Sequence, residues 1–347
     1  MSSQRLFNVA VVGATGAVGE QIIRLLAERH FPVNELKLLS SARSAGKTVR
    51  FRDREVTVRE AKPESFEGVD IALFSAGGDV SRKLVPEAVA RGAVCIDNTS
   101  AFRMDPEVPL IVPEVNIDKI SEHKGIIANP NCSTIQMVVA LKPLYDRFGI
   151  SRIIVSTYQA VSGAGAKAIA ELLRQTKDAL EQKEVKPDVL PVASLPVKHQ
   201  IAFNAIPQID KFTDNGFTFE EMKMVNETKK IMGDDSIQVT ATCVRIPVIY
   251  GHSESVYVEL KNDFDIEEVR SLLASAPGVV LEDDPQTQTY PLATNAAGKL
   301  ETFVGRVRRD LYNPRAVNMW IVSDNLLKGA AWNAVQIAEY IAIGQHE

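Results

Sequence analysis

The sequence is poor in residues that would cross-link the chain or anchor it in a membrane. Its three cysteines, Cys95, Cys132 and Cys243, are too widely separated to form a disulfide framework or a CxxC metal-binding pair. No apolar run reaches membrane-spanning length, and the residues before the first predicted strand lack the apolar core of a signal peptide. These absences predict a cytoplasmic protein that has no membrane partner and no metal site.

A strong charge of either sign is also missing. With 39 basic and 44 acidic residues the net charge is -5, so bulk electrostatics do not favour nucleic acid as a partner. An anionic ligand would therefore need local arginine or lysine side chains. The 347 residues, of which 45% are hydrophobic and 24% charged, suffice for two globular domains with a large core.

A glycine-rich turn follows the first predicted strand, Phe7 to Val12, and precedes a predicted helix, Glu20 to Glu28. A strand, a glycine turn and a helix N-terminus together form a cradle for the phosphates of a dinucleotide. The spacing is GxxGxxG rather than GxGxxG, but the flanking strand and helix are those of a nucleotide-binding unit. The predicted cofactor contacts here are Gly13, Thr15, Gly16, Ala17 and Val18.

The second predicted strand, Leu36 to Leu39, is not followed by the acidic residue that usually binds the ribose of NAD. The loop from Ser40 to Lys47 instead carries hydroxyl groups, an arginine and a lysine. This chemistry suits a 2′-phosphate, so the loop predicts NADP, although a solvated basic loop would have the same composition. The predicted contacts are Ser40, Ser41, Arg43 and Ser44.

Strands and helices continue to alternate, which predicts a doubly wound parallel sheet of the Rossmann type. The strand from Val69 to Phe74 ends in small residues, among them Ser75 and Gly77, which let a cofactor lie close to the backbone. Arg103 follows another strand end, where it could bind an oxyanion with two donors. A plain surface arginine is the alternative for Arg103.

Cys132 lies between a short apolar strand and a helical pattern that runs from Ile135 to Phe148. Ser133 or Thr134 could cap the first turn, which would place the thiol at or just before a helix N-terminus. The amide groups and dipole there stabilise a thiolate, and a thiolate can attack an acyl carbon. The alternative is a buried structural cysteine, but the polar, turn-rich setting favours a nucleophile.

The second half of the chain predicts a mixed sheet. The strands run over Gln238 to Pro247, Ser255 to Lys261, Phe303 to Arg308, and Val317 to Val322. Arg245 would share a strand face with Ala241 and Cys243, so it should be partly buried and should need an anionic partner. His252 occupies a polar turn, where a lone histidine is more often structural than catalytic.

Thr218 and Glu221 have the spacing of a capping box at the start of a helix that ends at Met232. Glu220 and Lys223 are three residues apart on the same helix and would form an ion pair, of which a surface pair is the simplest form. The Pro-spaced, mostly apolar stretch from Lys186 to Pro207 predicts a covering or subunit-contact segment.

In combination these motifs resemble the aspartate-semialdehyde dehydrogenase family over nearly the whole chain. The order and spacing of the motifs carry the resemblance, more than any one of them. They are Gly13–Gly19, Ser40–Lys47, Asn129–Thr134, Tyr158–Gly163, Glu220–Lys223, Arg245–Pro247 and His252–Glu254.

The resemblance implies a role for each of the polar residues. Cys132 would be a nucleophile that forms a thioester, His252 a general acid and base, and Gln159 a group that orients the acyl intermediate. Arg245 would bind the substrate carboxylate and Glu220 its amino group. The implied substrate contacts are Arg103, Asn131, Glu220, Lys223 and Arg245, with Arg103 and Lys223 forming a phosphate site. Further implied cofactor contacts are Ser162, Gly163 and Asn325.

The reaction implied by the resemblance is the NADPH-dependent conversion of L-aspartyl 4-phosphate to L-aspartate 4-semialdehyde and phosphate. That step belongs to the biosynthesis of lysine, through diaminopimelate, and of methionine and threonine. The expected architecture is an NADP-binding domain, residues 1–129, and an α+β catalytic and dimerisation domain, residues 130–324. Residues 325–347 would form a helix that returns to the first domain, and the protein would be a homodimer or homotetramer.

Two other functions remain open at this point. N-acetyl-γ-glutamyl-phosphate reductase shares the fold type and the cysteine chemistry, but its acylated substrate would not need Glu220 to face an ammonium group. A non-catalytic NADP-binding paralogue is the alternative from another class. It would have no need for Cys132, Gln159, Arg245 and His252 together.

Overall fold

The computed structural model describes residues 5–344, which form two compact units. Unit 1 contains the chain up to Asn131 and from Ala330 onward, and unit 2 extends from Cys132 to Gly329. The predicted boundaries lie two residues earlier where the chain passes from unit 1 to unit 2 and five residues earlier where it returns. Asn325 belongs to unit 2, where its side chain accepts a hydrogen bond from the Gly251 amide. No helix among the described residues is long and apolar enough to cross a membrane.

Unit 1 is built on a seven-stranded sheet with the order β3-β4-β2-β1-β5-β6-β7. All neighbouring strands are parallel except β3 and β4, which confirms the predicted doubly wound fold. The strands are β1 (Phe7–Val12), β2 (Val33–Ser40), β3 (Thr48–Phe51), β4 (Arg54–Glu60), β5 (Ile71–Phe74), β6 (Val94–Asp97) and β7 (Ile126–Ala128). The helices of this half are α1 (Ala17–Glu28), α2 (Gly78–Ala90) and α3 (Pro113–Asn116).

The β3–β4 hairpin was not predicted from the sequence. Of its strand residues only Phe51 and Val58 are buried, so the alternation that would have revealed two strands is weak. The hairpin places the end of β4 beside the end of β2. Residues at the end of β4 thereby reach the edge of the sheet where the predicted nucleotide loop lies.

Unit 2 contains a six-stranded sheet with the order β11-β12-β13-β10-β8-β9. The two edge pairs (β11–β12 and β8–β9) are parallel and the three pairs between them are antiparallel, so the predicted mixed sheet is confirmed. The strands are β8 (Ile150–Gln159), β9 (Gln238–Arg245), β10 (His252–Leu260), β11 (Val279–Leu281), β12 (Thr302–Arg309) and β13 (Ala316–Ser323). The helices are α4 (Cys132–Phe148), α5 (Ala166–Leu180), α6 (Phe219–Met232), α7 (Ile266–Ser275) and α8 (Ala293–Ala296).

The two faces of this sheet differ in burial. Ile153 and Val155 of β8 are buried on the face that packs on helices of the unit, whereas Ile154 between them is 38% exposed. The exposed face also carries Tyr158 and Trp320, whose ring centroids are 5.5 Å apart. An apolar and aromatic sheet face that a single chain leaves exposed is suited to contact another protein surface.

The segment 186–207 covers helix α5. The carboxylate of Glu171 accepts hydrogen bonds from backbone amides of this segment, including that of Leu190 at 3.1 Å. The side-chain oxygen of Gln175 accepts another from the amide of Ile201 at 2.8 Å. The segment therefore does cover a helix of its own chain, with its backbone fixed by two side chains of α5.

The last helix of the described residues is α9 (Trp332–Gly344), which belongs to unit 1. Glu339 forms a salt bridge with Arg29 at the end of α1, at 2.9 Å. Asn333 donates to the side chain of Asn129 at 2.7 Å. A short π-helical stretch, Leu327–Ala331, precedes α9.

Candidate active site

Cys132 is the first residue of helix α4. The sequence prediction that Ser133 or Thr134 caps this helix was wrong, because both lie within its first turn. Asn131 is the residue that precedes the helix, and asparagine is as good a capping type as serine or threonine. The Ser133 hydroxyl instead accepts a hydrogen bond from Gln159 at 2.8 Å. The thiol therefore lies where the amide groups and dipole of a 17-residue helix favour its thiolate form.

The other two cysteines have a different environment. Cys95 and Cys243 are fully buried in the sheets, whereas Cys132 is partly exposed. Burial raises the pKa of both buried thiols, with Asp97 adding to the effect at Cys95 and Glu220 at Cys243. Of the three thiols, only that of Cys132 combines access with a helix N-terminus.

The peptide group of Ala160, directly after β8, contacts two of the predicted site residues. Its amide donates to Nδ1 of His252 at 3.1 Å. Its carbonyl oxygen accepts from Nη1 of Arg245 at 2.7 Å. A residue that the sequence did not single out thus orients the predicted acid/base group and the predicted carboxylate-binding group together.

His252 is the first residue of β10 and is fully buried. Its Nε2 atom has no hydrogen-bond partner among residues 5–344. Burial, with a smaller contribution from Arg245, lowers the pKa of His252 to about 3, while Glu220 acts in the opposite direction. The imidazole is therefore neutral at physiological pH.

Arg245 ends β9 and shares its buried face with Ala241 and Cys243, as predicted from the strand period. Burial lowers the pKa of Arg245, and the negative charges of Glu220 and Cys132 oppose this. The hydrogen bond of Arg245 goes to the backbone carbonyl of Ala160 rather than to a carboxylate. The anionic groups predicted for it are therefore Glu220 and Cys132, which act on it through longer-range electrostatic attraction. The Nε atom has no partner among the described residues, so the guanidinium retains donor capacity.

Gln159 and Glu220 extend the site toward helix α6. Gln159 Nε2 donates to Glu220 Oε1 at 3.2 Å, and Lys223 Nζ donates to Glu220 Oε2 at 3.2 Å and to Asp210 at 3.0 Å. The Glu220–Lys223 pair is not the surface pair that the spacing alone suggests, because the Glu220 side chain is only 7% exposed. A buried carboxylate held by donors on two sides is a suitable contact for a cationic group of a ligand.

Glu221, the next residue, fixes the position of Glu220. The predicted capping box is confirmed, since the amide of Thr218 donates to Glu221 Oε2 at 2.7 Å and the Thr218 hydroxyl accepts from the Glu221 amide. Glu221 Oε1 accepts from the backbone amide of Cys243 at 2.9 Å. The start of α6 is thereby tied to β9, the strand that carries Arg245.

Three of the predicted cofactor residues lie around His252 in unit 2. A Cβ atom at Gly163 would lie 3.0 Å from Arg245 Nη1 and 3.3 Å from His252 Nε2, so a larger residue would crowd both. Asn325 and Ser162 hydrogen-bond to each other, and Asn325 also accepts from the Gly251 amide at 3.0 Å. These contacts commit the Asn325 side chain to holding the turn before His252.

A cavity of about 700 Å³ lies in unit 1 at the ends of its parallel strands. Gly13, at φ +88°, faces the backbone of Ser75, and a Cβ at Gly19 would lie 2.2 Å from the Gly13 carbonyl oxygen. Both positions therefore require glycine, as the turn predicts. The predicted cofactor residues that line the cavity are Gly13, Thr15, Gly16, Ser40, Ser41, Arg43, Ser44 and Ser75.

The cavity lining differs from the prediction in two respects. Ala17, Val18 and Gly77 are not among its residues, whereas Lys62 and Lys83 are and were missed. Lys62 lies two residues after the end of β4, so recognising the β3–β4 hairpin would have placed it near the nucleotide loop. Together with Arg43 these lysines give the cavity three cationic groups beside the serine-rich loop.

Comparisons with known proteins agree with this arrangement. A family model of the semialdehyde dehydrogenase NAD-binding domain matches residues 8–123, and one of the semialdehyde dehydrogenase dimerisation domain matches residues 141–328. The aspartate-semialdehyde dehydrogenase of Bacillus subtilis is 61% identical, covering 96% of this chain and 97% of its own. That of Aquifex aeolicus is 56% identical, with coverage of 96% and 98%.

The chain belongs to the aspartate-semialdehyde dehydrogenase family.

Solved structures of aspartate-semialdehyde dehydrogenases have the same fold. The enzyme II of Vibrio cholerae, solved in complex with ASA, superimposes with a TM-score of 0.92 at 52% identity, covering 96% of this chain and 98% of that one. The enzyme of Candida albicans, solved with NADP, gives a TM-score of 0.74 at 26% identity, with coverage of 96% and 98%. This family member therefore has an NAD-binding domain in its first half and a dimerisation domain in its second.

Arg103, the predicted phosphate ligand of this family member, is mostly buried in unit 1. Its Nε atom donates to the carbonyl of Asn129 at 2.9 Å and its Nη2 atom to the carbonyl of Asn98 at 2.7 Å. The alternative of a surface arginine was therefore wrong. Part of the guanidinium ties together the segments that follow β6 and β7.

No group of three or more His, Cys, Asp or Glu side chains within the described part of the chain has the arrangement of a metal site.

Glu254 is a buried acidic residue that the sequence analysis did not single out. It lies two residues after His252 on the same face of β10, is fully buried, and neither carboxyl oxygen makes a hydrogen bond within residues 5–344. Burial raises the pKa of Glu254 well above its ordinary value, and the proximity of Gln136 offsets only part of this. Burial therefore favours the protonated, neutral form of this carboxyl group.

We predict that Glu254→Gln stabilises the protein at alkaline pH. Above the unfolded-state pKa near 4.5 the unfolded chain loses this proton while the folded chain keeps it, so wild-type stability falls as pH rises. The advantage of the variant should grow by up to ~1.4 kcal/mol per pH unit above that value and should vanish below it. Urea unfolding at pH 4.5 to 8.5, at fixed protein concentration, measures the difference.

Glu259→Gln, on the same strand, is the matched control and should show no comparable growth, because Glu259 is half-buried and accepts a hydrogen bond from Tyr257. A Glu254→Gln variant that is less stable than wild type at pH 8 would mean that the carboxylate is ionised and paired in the fold.

Proposed function

We propose that this chain is an NADP-dependent aspartate-semialdehyde dehydrogenase that acts through a thioester on Cys132. The observation that carries the proposal is the joint orientation of His252 and Arg245 by Ala160, in the unit that begins with Cys132. The relative from Vibrio cholerae was solved with ASA, which supports the same substrate here. The proposal places the enzyme in the cytoplasm and on the route to lysine, methionine and threonine.

Cys132 supplies the nucleophile. Its thiolate attacks the acyl carbon of L-aspartyl 4-phosphate, and the bond to the phosphate oxygen breaks to leave the thioester. Amide groups at the start of α4 stabilise the negative charge that develops on the acyl oxygen. When bound, NADPH supplies the hydride that reduces the acyl group to the aldehyde. Gln159, which contacts both Ser133 and Glu220, orients the acyl intermediate.

Arg245 and Glu220 recognise the two charged groups of the amino acid. The guanidinium of Arg245 retains donors for the α-carboxylate, and the buried carboxylate of Glu220 faces the α-ammonium group. Asn131 precedes the nucleophile and contributes a polar contact to the substrate. Arg103 and Lys223 provide the positive charge of the phosphate site. Each keeps its own internal hydrogen bonds as it does so.

A buried carboxylate at Glu220 also separates this proposal from its nearest rival. The substrate of N-acetyl-γ-glutamyl-phosphate reductase has a neutral acylated nitrogen, which would leave Glu220 without a cationic ligand group. The non-catalytic alternative gives no reason for a partly exposed thiol at a helix N-terminus in the same unit as an oriented histidine. We therefore retain both only as outcomes of the assay below.

We predict NADPH formation from L-aspartate 4-semialdehyde and NADP⁺ that requires phosphate, because the thioester must be released as the acyl phosphate. Cys132→Ala should lower kcat by ~10³-fold or more. Cys95→Ala, which changes a buried thiol of unit 1, is the control and should stay active. Activity with N-acetylglutamate semialdehyde alone would establish the rival reductase, and no turnover with either substrate would favour the non-catalytic paralogue.

The lining of the cavity in unit 1 supports our proposal of NADP rather than NAD. Its loop after β2 has hydroxyl groups and Arg43 where an acidic residue would bind the ribose of NAD, and Lys83 adds positive charge. Lys62 is paired with Glu60, which also lines the cavity, at 2.8 Å. The side chain of Arg43 is exposed and has no partner among residues 5–344. It is therefore available to a 2′-phosphate.

We predict that Arg43→Ala raises the KM for NADP⁺ by ~10- to 100-fold, as the loss of one charge-assisted contact requires, and leaves the KM for NAD⁺ nearly unchanged. Lys47→Ala is the matched control, since Lys47 lies on the same loop but does not line the cavity. Equal effects of Arg43→Ala on both cofactors would contradict a 2′-phosphate contact.

The dimerisation domain leaves one sheet face exposed, and we propose that this face joins two copies of the chain. Ile154, Tyr158 and Trp320 form its apolar centre. The segment 186–207 was predicted to add subunit contacts, and that prediction stands as part of the proposal. Two such dimers could assemble further into a tetramer.

We predict that Ile154→Asp weakens the dimer by at least ~100-fold, because it places an uncompensated charge in the buried interface. Sedimentation velocity over a dilution series measures the monomer fraction. Leu6→Asp, at a residue of unit 1 that is 55% exposed, is the control and should leave the dimer intact. An unchanged assembly in Ile154→Asp would move the interface away from this sheet face.

A further inference from the structure

Three side-chain amides form a continuous hydrogen-bonded chain within unit 1. Asn333 of α9 donates from Nδ2 to the side-chain oxygen of Asn129 at 2.7 Å. Asn129 donates in the same way to Asn98 at 2.9 Å, and Asn98 donates to the backbone carbonyl of Phe74, the last residue of β5, at 2.9 Å. The amide chain therefore runs from α9 across the ends of β7, β6 and β5.

Backbone carbonyls at both ends determine how the three amides are oriented. The carbonyl of Phe74 can only accept, so Asn98 must present its NH₂ group there and its oxygen to Asn129. The carbonyl of Ile111 can also only accept, and it receives a second hydrogen bond from Nδ2 of Asn333 at 3.0 Å. Both ends therefore require the same direction, and turning over any one amide would set two like groups against each other.

The same asparagines supply acceptors for Arg103. Its Nε atom donates to the backbone carbonyl of Asn129 at 2.9 Å and its Nη2 atom to that of Asn98 at 2.7 Å. Asn98 and Asn129 each directly follow a strand, and the two strands pair in parallel, so these carbonyls lie side by side. The guanidinium is thus oriented by two peptide groups whose own side chains are hydrogen-bonded to each other.

We propose that Asn333 is a positioning residue for phosphate binding, because it holds Asn129 and, through Asn129, the guanidinium of Arg103. The inference rests on the proposed function of Arg103 in the phosphate site. A planar guanidinium binds an oxyanion well only when its N–H groups point at the oxygen atoms. A small rotation of its carbonyl acceptors therefore lowers the affinity for phosphate.

Burial makes the amide chain sensitive to the loss of one member. Asn129 and Asn333 are fully buried, so water cannot readily replace a missing donor. Loss of the Asn333 amide would remove the donor that the side-chain oxygen of Asn129 now has. An unsatisfied buried acceptor is costly, so we expect Asn129 to turn toward another donor and to shift the carbonyl that Arg103 contacts.

The first test measures the substrate constants separately, in the direction that consumes phosphate. We expect Asn333→Ala to raise the KM for phosphate by ~5- to 10-fold, the effect of about one lost hydrogen bond, and to change the KM for L-aspartate 4-semialdehyde and for NADP⁺ by less than ~2-fold. A merely structural defect would lower the amount of active enzyme, and hence kcat, without this selectivity. An equal rise in all three KM values, or an unchanged KM for phosphate, would overturn the inference.

Gln336→Ala is the matched control. Gln336 lies three residues further along α9 and donates to Glu114 at 2.9 Å, so this variant also removes an amide contact of the helix but leaves the amide chain intact. Its KM for phosphate should equal that of wild type, and the same rise as in Asn333→Ala would overturn the inference. Asn333→Leu has nearly the shape of asparagine without its donors, and it should show the same rise if the smaller alanine prevents folding.

A double-mutant cycle tests whether Asn333 acts through Arg103. The slope of rate against phosphate concentration gives kcat/KM even where phosphate does not saturate. In an Arg103→Ala background, Asn333→Ala should change this slope by less than ~2-fold, because the group that Asn333 positions is already absent. The full ~5-fold effect in that background would mean that Asn333 acts by another route and would overturn the inference.

A spectroscopic test reads the position of Arg103 without any activity. ¹H–¹⁵N correlation spectra of protein labelled with ¹⁵N-arginine contain the Nε–H resonance of Arg103, which Arg103→Lys assigns. We expect this resonance to shift in Asn333→Ala and to remain in place in Gln336→Ala. An unshifted resonance in Asn333→Ala would overturn the inference.

These outcomes separate the inference from the proposed function. A normal KM for phosphate in Arg103→Ala would remove Arg103 from the proposed phosphate site and, with it, the effect of Asn333 on phosphate. A raised KM in Arg103→Ala, together with an Asn333→Ala variant that behaves like wild type, would preserve the proposed function and overturn the inference alone.

Discussion

The two hydrogen bonds of the Ala160 peptide are the constraint on which the candidate site depends. One of them orients an imidazole and the other a guanidinium, and the two groups come from different strands. They meet at Ala160 because β8 pairs in parallel with β9, where Gln159 lies opposite Arg245, and antiparallel with β10, where Tyr158 lies opposite Ser253. A slip of one residue in either pairing would turn these side chains to the opposite face of the sheet. The chemistry of the site is thus a consequence of strand register.

Space around the site is as closely determined as the hydrogen bonds. A Cβ atom at Gly329 would lie 2.7 Å from Cβ of Cys132, so the π-helical stretch can approach the proposed nucleophile this closely only because position 329 is glycine. Gly163 has the same relation to His252 and Arg245. Gly251, with φ +90°, allows the turn that delivers His252 to the start of β10. Each of the three groups has a glycine against it, which leaves the remaining volume to a ligand.

The sequence was sufficient for features that depend on local pattern. The glycine spacing predicted the phosphate turn, the strand period predicted the buried face of Arg245, and Thr218 with Glu221 predicted a cap that the structure contains. It was insufficient where the outcome depends on partners far along the chain. Ala160 has no chemical group that marks it, because its contribution is a backbone amide placed by sheet pairing. Glu254 was overlooked because nothing in a local pattern indicates that a strand glutamate will be buried without a partner.

The carboxylate of Glu221 limits which ligands the site could accept after substitution of its binding residues. One carboxylate oxygen of Glu221 caps the start of helix α6, and the other accepts a hydrogen bond from the amide of Cys243 in β9. This one side chain therefore sets the spacing between that helix and that strand. Glu220 and Arg245, which we propose to bind the two charged ends of the amino acid, inherit this spacing from the scaffold. The distance between Glu220 and Arg245 is therefore fixed by the packing of α6 on β9. Replacing Glu220 or Arg245 alone would therefore not let the site accept a substrate longer by one methylene group. That change would require a different distance between α6 and β9.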